Sequence, residues 1–382
     1  MNYRITGGMV FDPGFVFRKA DVYISDGRIV EKTEDVDFED IDISGLKLIP
    51  GLTDIHFHGC KGHDFCEGDV SVIQTMADYE ESQGITQICP ATMTFPEEKL
   101  LKVMEAAKSF RGEGGASLVG INMEGPFISY EKRGAQNPDY IMKPDSAMFR
   151  RLQEASGNRI KLVALAPETE GSAEFIKELK DEVIISFAHS AADFGSACKA
   201  FESGVRHMTH IHNAMAPMNH REPGPVFAAA DTEYVEAEMI CDGVHIHPSA
   251  VRATFKLFGD DRIIFISDSM EAVGMPDGEY ELGGIPVIKR GIRATQENGT
   301  IAGSAANLMD CVRTAVLEMG LPLETAVKCA AVNPARSIGI YDSFGSIEAG
   351  KNAALVALND RLDVCLVINR GEIVVPLRPA AH

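Results

Sequence analysis

The sequence lacks any long apolar run. No stretch of its 382 residues approaches 18 uninterrupted apolar residues, about the length that a membrane-spanning helix needs. The amino-terminal segment MNYRITGGMVFDPG has no basic region followed by a long apolar run, as a secretory signal would have. We therefore expect neither a membrane partner nor an export signal.

The sequence also lacks a CxxC motif, and its cysteines are scattered along the chain. Several of them lie inside apolar runs, as reduced buried cysteines do. This usage favours a cytoplasmic location with reduced thiols. The eight cysteines are Cys60, Cys66, Cys89, Cys198, Cys241, Cys311, Cys329 and Cys365.

Positive charge is in short supply. The chain has 36 Lys and Arg against 56 Asp and Glu, a formal net charge of −20. Nucleic acid is not an expected partner, because this charge would repel its phosphates. A phosphorylated small molecule is not excluded, since a local basic pocket can override the overall field. The simplest interpretation of the acidity is solubility.

The middle of the chain alternates short apolar strands with helical stretches. This alternation predicts an α/β fold, a (β/α)8 TIM barrel over residues 49–345. No linker, low-complexity segment or short internal repeat interrupts it. The eight strand-like segments are LTDIHF, ITQICP, SLVGINM, IKLVALAPE, VIISFAHS, VRHMTHIH, VEAEMICD and RIIFISDS.

The two ends of the chain have a different pattern. YRITGGMVF and DVYISDGRIVE near the start are rich in β-branched residues, and Asp26-Gly27 is a hairpin signal. SIEAGKNAALVALND and LDVCLVINRGEIVVP near the end also favour strands joined by turns. We expect residues 1–48 and 346–382 to form one small β-sandwich domain.

Polar residues follow several of the predicted barrel strands. In such barrels the chemistry lies at the carboxyl ends of the strands. His56 and His58 are two residues apart, so both rings project to the same side of the first strand. The later strands end in Glu124, His189, His210 with His212 beyond it, and Asp268.

Each of these residues, taken alone, has a structural explanation. Glu124 could begin a turn, His189 could be a hydrogen-bonded core histidine, and Asp268 could cap a helix. A lone HxH pair also occurs by chance. Together, however, they fall at the one end of the barrel where ligands bind. Imidazole and carboxylate suit zinc, iron or manganese better than calcium, so the set predicts a transition-metal site.

A longer series of motifs resembles the N-acetylglucosamine-6-phosphate deacetylases of the amidohydrolase superfamily. The resemblance runs in order from about residue 48 to the carboxyl terminus, and the joint set is far more specific than HxH alone. It implies hydrolysis of the acetamide of a 6-phosphorylated amino sugar, in amino-sugar catabolism or recycling. The motifs are PGLTDIHFHG, NMEGPF, LAPE, AHS, MTHIHNAM, REPG, CDGVH, ISDSM and TIAGS.

The resemblance implies a role for each matching residue. Glu124, His189 and His210 would hold the principal divalent metal ion, with zinc or iron as the expected element. His56 and His58 would hold a second ion, bridged by Glu124, so one or two ions are expected per subunit. Asp268 would be the general acid/base. The predicted sugar-phosphate contacts are Asn213, Ala214, Arg221 and the loop from Asp242 to His245, and the acetyl end would be lined by Ile301, Ala302 and Gly303.

The resemblance also implies a homodimer, because family members complete the phosphate site across a dimer interface. Two positions depart from the family pattern. Gln136 stands where many relatives have a histidine that polarises the substrate carbonyl; glutamine can donate a hydrogen bond there but has no charge. His212 stands where relatives usually have an aromatic residue, and we expect it to line the pocket rather than bind metal.

Two other classes of function remain open. One is an amidohydrolase that acts on cyclic amides or deaminates a base; these often use a carboxylated lysine as the bridging ligand. Strand four ends ALAPE, without a lysine, and Glu124 is available to bridge. The other is an inactive barrel that serves as a binding scaffold. Such a protein should have lost ligands or the acid/base, and this chain retains them all.

Overall fold

A computed structural model describes residues 1–377 of the chain. Residues 378–382 of the predicted small domain lie outside this range. The strands are β1 (Tyr3–Thr6), β2 (Met9–Phe11), β3 (Phe17–Lys19), β4 (Val22–Ser25), β5 (Arg28–Val30), β6 (Glu39–Asp42), β7 (Lys47–Pro50), β8 (Leu52–Asp54), β9 (Gly59–Cys60), β10 (His63–Asp64), β11 (Ile85–Ile88), β12 (Ser117–Leu118), β13 (Ile121–Met123), β14 (Ile160–Leu165), β15 (Ile184–Phe187), β16 (His207–Met208), β17 (Glu236–Ile240), β18 (Ile263–Ile266), β19 (Gly278–Leu282), β20 (Ile285–Arg290), β21 (Arg293–Thr295), β22 (Leu355–Leu358), β23 (Val364–Asn369) and β24 (Glu372–Val375).

Helices separate the central strands. Two short 3-10 helices (Phe65–Glu67 and Pro138–Tyr140) and one π-helical turn (Lys328–Val332) accompany the α-helices. The α-helices are α1 (Val70–Ser82), α2 (Glu97–Ser109), α3 (Ser146–Ala155), α4 (Ser172–Leu179), α5 (Phe194–Ser203), α6 (Gly224–Asp231), α7 (Pro248–Phe258), α8 (Leu308–Leu317), α9 (Leu323–Val327) and α10 (Asn333–Ser337).

All eight predicted central strands are present, and they pair in parallel. They form a three-stranded sheet in the order β12-β11-β8 and a six-stranded sheet in the order β13 to β18, with the third predicted strand divided into β12 and β13. A bridge between Ala91 and Asn122 links the two sheets on one side. On the other side the Asp268 N–H donates to the His56 carbonyl at 2.9 Å. The architecture is TIM-like, and it brings the strand ends together.

The apolar pattern explains why these segments are strands and helices. Strand β14 is buried from Leu162 to Leu165, as expected for a parallel strand covered on both faces. Helix α3 instead buries one face through Met148, Phe149 and Leu152. The Asp145 carboxylate caps its first turn by accepting backbone N–H groups. The helices therefore cover the outside of the central sheets.

The chain ends form two further sheets, the first from amino-terminal strands alone and the second from strands of both ends. One has the order β5-β4-β1-β6, and the other has the order β24-β23-β22-β7-β2-β3. Ile5 and Ile24 of the first sheet and Leu48, Leu355 and Ile368 of the second belong to one buried apolar cluster. Strand β7 pairs with both β2 and β22, so this second sheet extends two residues past the predicted boundary at residue 48.

The predicted hairpin at Asp26-Gly27 is present. Strands β4 and β5 pair antiparallel, with Ser25 opposite Arg28. Asp26 and Gly27 have φ values of 49° and 75°, the left-handed conformation that a tight two-residue hairpin turn requires at both positions.

Two small antiparallel sheets were not predicted, and the shorter of them pairs β9 with β10. Strands β19, β20 and β21 form a three-stranded antiparallel sheet between β18 and α8, and the turn at Gly283-Gly284 joins the first two. The segment GEYELGG has the alternating pattern of a strand, but the regular (β/α) series gives no reason to expect an inserted sheet at this position. Leu282, at the end of β19, reaches the cavity described below.

Candidate metal centre and active site

Four histidine rings converge on one buried carboxylate. The Nε2 atoms of His189 and His210 lie 3.2 and 3.1 Å from Glu124 Oε1. The Nε2 atoms of His56 and His58 lie 3.5 Å from Oε1 and 3.4 Å from Oε2. All five side chains are buried. The structure therefore brings together the whole metal-ligand set that the sequence predicted.

The five side chains form two overlapping groups with Glu124 in common. One group is His56, His58 and Glu124, and the other is Glu124, His189 and His210; the ligand atoms within each group lie within 4.8 Å of one another. His56 Nε2 is buried and has no hydrogen bond within residues 1–377. A buried ring nitrogen without a partner is costly, so this atom fits a metal ligand. The donor set suits zinc or iron.

The backbone turns sharply where the strands deliver these side chains. His189, His210 and Asp268 have φ values of 43°, 29° and 51°, in the left-handed region that non-glycine residues rarely adopt. Such a residue costs about 1–3 kcal/mol and persists only where the surroundings enforce it. The turns follow β15, β16 and β18 within a few residues and aim the side chains at one point.

Asp268 lies beside the histidine pair. Its Oδ1 is 3.1 Å from His58 Nε2 and 3.7 Å from His56 Nε2. Burial alone would raise the pKa of the Asp268 carboxyl, but the hydrogen bond from His58 and the neighbouring imidazoles lower it. The neighbouring histidines therefore favour the ionised form of the Asp268 carboxyl.

Gln136 has a role that the sequence did not reveal. Its amide nitrogen donates to Glu124 Oε2 at 2.5 Å, and its carbonyl accepts the Thr94 N–H at 2.8 Å. The side chain thus supports the shared carboxylate. It also lines the cavity, so its predicted contact with the substrate carbonyl stays a prediction.

Two further carboxylates behind the site were missed. Asp54 accepts the His56 N–H at 3.1 Å and the Ser267 hydroxyl at 2.5 Å, and burial raises its pKa to about 7. Glu238 lies between His56 and His207. Burial would raise the pKa of Glu238, but the charges and hydrogen bonds of the two histidines lower it to about 2. The sequence feature that could have revealed Asp54 and Glu238 is a charged residue inside an otherwise apolar strand.

The cluster of histidines around Glu124 opens onto a cavity of about 370 Å³. Met93, Leu282 and Ile301 form part of its apolar wall, and His58, His189 and Asp268 form part of its polar wall. Within the described chain its lining contains no Lys or Arg. The predicted substrate contacts that line it are Gln136, Asn213, Ala214, His245, Ile301 and Gly303.

The other predicted substrate contacts lie outside the lining. Ala302 is fully buried behind the wall. Asp242 accepts a hydrogen bond from His245 Nδ1 at 2.8 Å and so orients that ring. Burial alone would lower the pKa of His245, but the hydrogen bond and charge of Asp242 raise it. Arg221 is exposed on the loop after His210. His212 hydrogen-bonds Thr254 at 2.8 Å instead of lining the cavity as expected.

The arrangement of a TIM-like sheet with histidines and a shared glutamate at its strand ends defines a class of proteins. Residues 48–374 match the amidohydrolase family, and the chain belongs to that family. Within it, the chain is 36% identical over 332 residues to the N-acetylglucosamine-6-phosphate deacetylase of Bacillus subtilis (strain 168), covering 85% of this chain and 84% of that protein. The resemblance predicted from the motifs is confirmed.

Two further relatives bear on the substrate. A solved mutant structure of N-acetyl-D-glucosamine-6-phosphate deacetylase from Mycobacterium smegmatis, in complex with N-acetyl-D-glucosamine-6-phosphate, is 31% identical with a TM-score of 0.91. The match covers 98% of this chain and 99% of that one. The N-acetylgalactosamine-6-phosphate deacetylase of Escherichia coli O157:H7 is 33% identical over 329 residues, covering 85% of this chain and 87% of that protein.

Proposed function

We propose that this protein hydrolyses the acetamide of N-acetyl-D-glucosamine 6-phosphate, giving D-glucosamine 6-phosphate and acetate. The observation that supports this most directly is the convergence of four histidines on Glu124 with Asp268 beside them. Three relatives are named as deacetylases of 6-phosphorylated N-acetyl amino sugars, and they support a linear acetamide substrate over a cyclic amide or a nucleobase.

The chain's own residues account for the proton transfers. A bound divalent metal ion would polarise the amide carbonyl and lower the pKa of water. Asp268, ionised beside His58, accepts the proton of the attacking water. It then passes that proton to the amide nitrogen as the C–N bond breaks. Glu124 and the histidines would hold the metal, and Gln136 orients Glu124 through its amide.

The metal centre is proposed to hold zinc or iron, with one or two ions per subunit. Replacing the pair as His56→Gln with His58→Asn should lower the stoichiometry from two to one, because His189, His210 and Glu124 remain. Elemental analysis after metal reconstitution measures this. His63→Gln is the control, since His63 lies on the same segment but contacts Glu67. A stoichiometry of one that the double variant leaves unchanged would eliminate the second site.

The substrate is proposed to lie in the cavity with its acetyl end towards Ile301, Ala302 and Gly303. Asn213, Ala214 and the loop from Asp242 to His245 would contact the sugar phosphate. A phosphate needs cationic or donor partners, and the described cavity lining contains no Lys or Arg. Arg221 on the neighbouring loop is proposed to supply a guanidinium.

A homodimer is also proposed. The lack of Lys and Arg in the described cavity lining supports it, since a second subunit would complete the phosphate site.

The domain organisation is likewise a proposal. Residues 49–345 are assigned to a closed (β/α)8 barrel, supported by eight parallel strands in chain order. Residues 1–48 and 346–382 are assigned to one β-sandwich domain, supported by the apolar cluster that the two terminal sheets share.

A cytoplasmic location is proposed from the cysteine usage, and seven of the eight cysteines are buried. No helix within residues 1–377 has the length and hydropathy to cross a membrane.

The proposed activity is tested by acetate release from the purified, metal-reconstituted protein. N-acetylglucosamine 6-phosphate should be hydrolysed, and N-acetylglucosamine without the phosphate should be a much poorer substrate. N-acetylgalactosamine 6-phosphate belongs in the panel because one relative is named for it. Absence of acetate, together with good turnover of a cyclic amide or a nucleobase, would refute the proposal.

A further inference from the structure

We infer that Glu238 is a positioning residue that holds one ligand of each proposed metal group in its binding geometry. Glu238 lies on strand β17, fully buried beneath the centre, and does not line the cavity. It therefore acts on the reaction only through the residues that it contacts. The inference rests on the proposed metal centre and assigns a specific task to a residue behind it.

One Glu238 oxygen contacts both metal groups. Its Oε2 lies 2.8 Å from His56 Nδ1 and accepts the backbone N–H of His210 at 3.2 Å. His56 belongs to one group of ligands and His210 to the other. The second oxygen, Oε1, lies 3.0 Å from His207 Nε2. The carboxylate, in the middle of β17, thus contacts residues of β16 and of the segments that follow β8 and β16.

The contact with His56 decides which ring nitrogen faces the metal. An ionised carboxylate only accepts hydrogen bonds, so the proton of a neutral His56 ring lies on Nδ1. The lone pair is then on Nε2, the atom that points at Glu124 and that has no hydrogen bond to the described part of the chain. Hydrogen bonds of this kind from a ligand histidine to a carboxylate typically change metal affinity about 10–100-fold.

The contact with His210 acts on the backbone instead of the ring. His210 has a φ of 29°, so its left-handed turn needs external support. The bond from its N–H to Glu238 supplies that support from the neighbouring strand. The His210 ring is then held with Nε2 3.1 Å from Glu124 Oε1.

A purely structural role is the competing explanation. Glu238 also pairs with His207, and that pair could stabilise the fold without affecting metal binding. The two roles differ in one quantity, the increase in melting temperature that zinc produces. A structural contact shifts the melting temperatures of the metal-free and zinc-loaded proteins equally. A positioning contact reduces the difference between them.

The test compares Glu238→Gln with Glu236→Gln in the full chain. Glu236 lies two residues earlier on the same strand, and its contacts within residues 1–377 are to His207 and Ser337 and not to the proposed ligands. Zinc affinity is measured by competition with a chelator, and the melting temperature is measured with and without zinc. We expect Glu238→Gln to weaken zinc binding about 10–100-fold and to reduce the zinc-induced shift. Glu236→Gln should change neither quantity.

The outcomes separate this inference from the function on which it rests. Wild-type zinc affinity in Glu238→Gln, or an unchanged zinc-induced shift, overturns the positioning role and leaves the metal centre intact. Failure of the wild-type protein to bind zinc, iron or manganese overturns the metal centre itself. If Glu238→Gln does not fold, the histidine ring nitrogens of the wild-type zinc form are assigned by 15N NMR. A His56 ring protonated on Nε2 would then refute the inference, and one protonated on Nδ1 supports it.

Discussion

Asp268→Asn is expected to lower kcat for acetate release by at least 10²–10⁴-fold, the typical contribution of general acid–base catalysis. The amide is nearly isosteric with the carboxylate but cannot accept the proton of the attacking water. The substitution changes the oxygen that would accept this proton, because Asp268 Oδ1 lies 3.1 Å from Nε2 of the proposed metal ligand His58. The measurement is acetate release at saturating substrate with metal added back.

The substitution should leave the fold and the metal content largely intact. Asp268 has a φ of 51°, and asparagine is one of the few residues that adopt this conformation readily. Its backbone bonds to His56 and Ser304 do not involve the side chain. Metal content and melting temperature close to wild type are therefore the controls. An Asn variant that keeps most of the wild-type rate would remove Asp268 from the mechanism.

The central strands were predictable because their signal is local. Each apolar run, such as RIIFISDS, is bounded by polar residues, and a parallel strand must bury both faces. The metal ligands were predictable for a related reason. Parallel strands share one carboxyl end, so residues far apart in sequence, such as His56 and Glu124, come together once the strand ends are aligned.

Contacts between strands were not predictable in the same way. Glu238 and Asp54 lie within strands, where a charged residue has no periodic signal and its partner is on another strand. The bond from Gln136 to Glu124 joins a loop to a strand end, and its existence depends on how the loop folds back. The β19–β21 sheet interrupts the (β/α) series, so the repeat itself gave no reason to expect it. These are tertiary pairings, and a single sequence does not specify them.

The phosphate partner shows where prediction from motifs and the observed geometry diverge. The family resemblance assigns Arg221 of the REPG motif to the phosphate, yet Arg221 is exposed and does not line the cavity. Only its backbone N–H forms a hydrogen bond, to Asn219 at 3.0 Å, and within residues 1–377 its guanidinium has no partner. The same loop contributes Asn213 and Ala214 to a cavity lining that contains no Lys or Arg, so the guanidinium is available to an incoming phosphate.

Arg221→Ala is therefore expected to lower kcat/KM for N-acetylglucosamine 6-phosphate while leaving the melting temperature near wild type. Loss of a hydrogen bond to a charged group costs about 1.5–3 kcal/mol, which corresponds to about a 10- to 150-fold decrease. The unphosphorylated sugar has no such contact to lose, so its low rate should hardly change. The measured quantity is the ratio of the two kcat/KM values in each variant.

Arg206→Ala is the matched control, because Arg206 is an exposed arginine at the opposite, amino-terminal end of strand β16. It removes the same charge from the protein, so it reports any effect of the overall field on an anionic substrate. The ratio is kcat/KM for the phosphorylated sugar divided by kcat/KM for the unphosphorylated sugar. If it falls in Arg221→Ala but not in Arg206→Ala, the phosphate lies at the loop after His210. An equal loss for both substrates in Arg221→Ala would mean that Arg221 supports the fold or the metal centre. The phosphate would then need its cation from a second subunit.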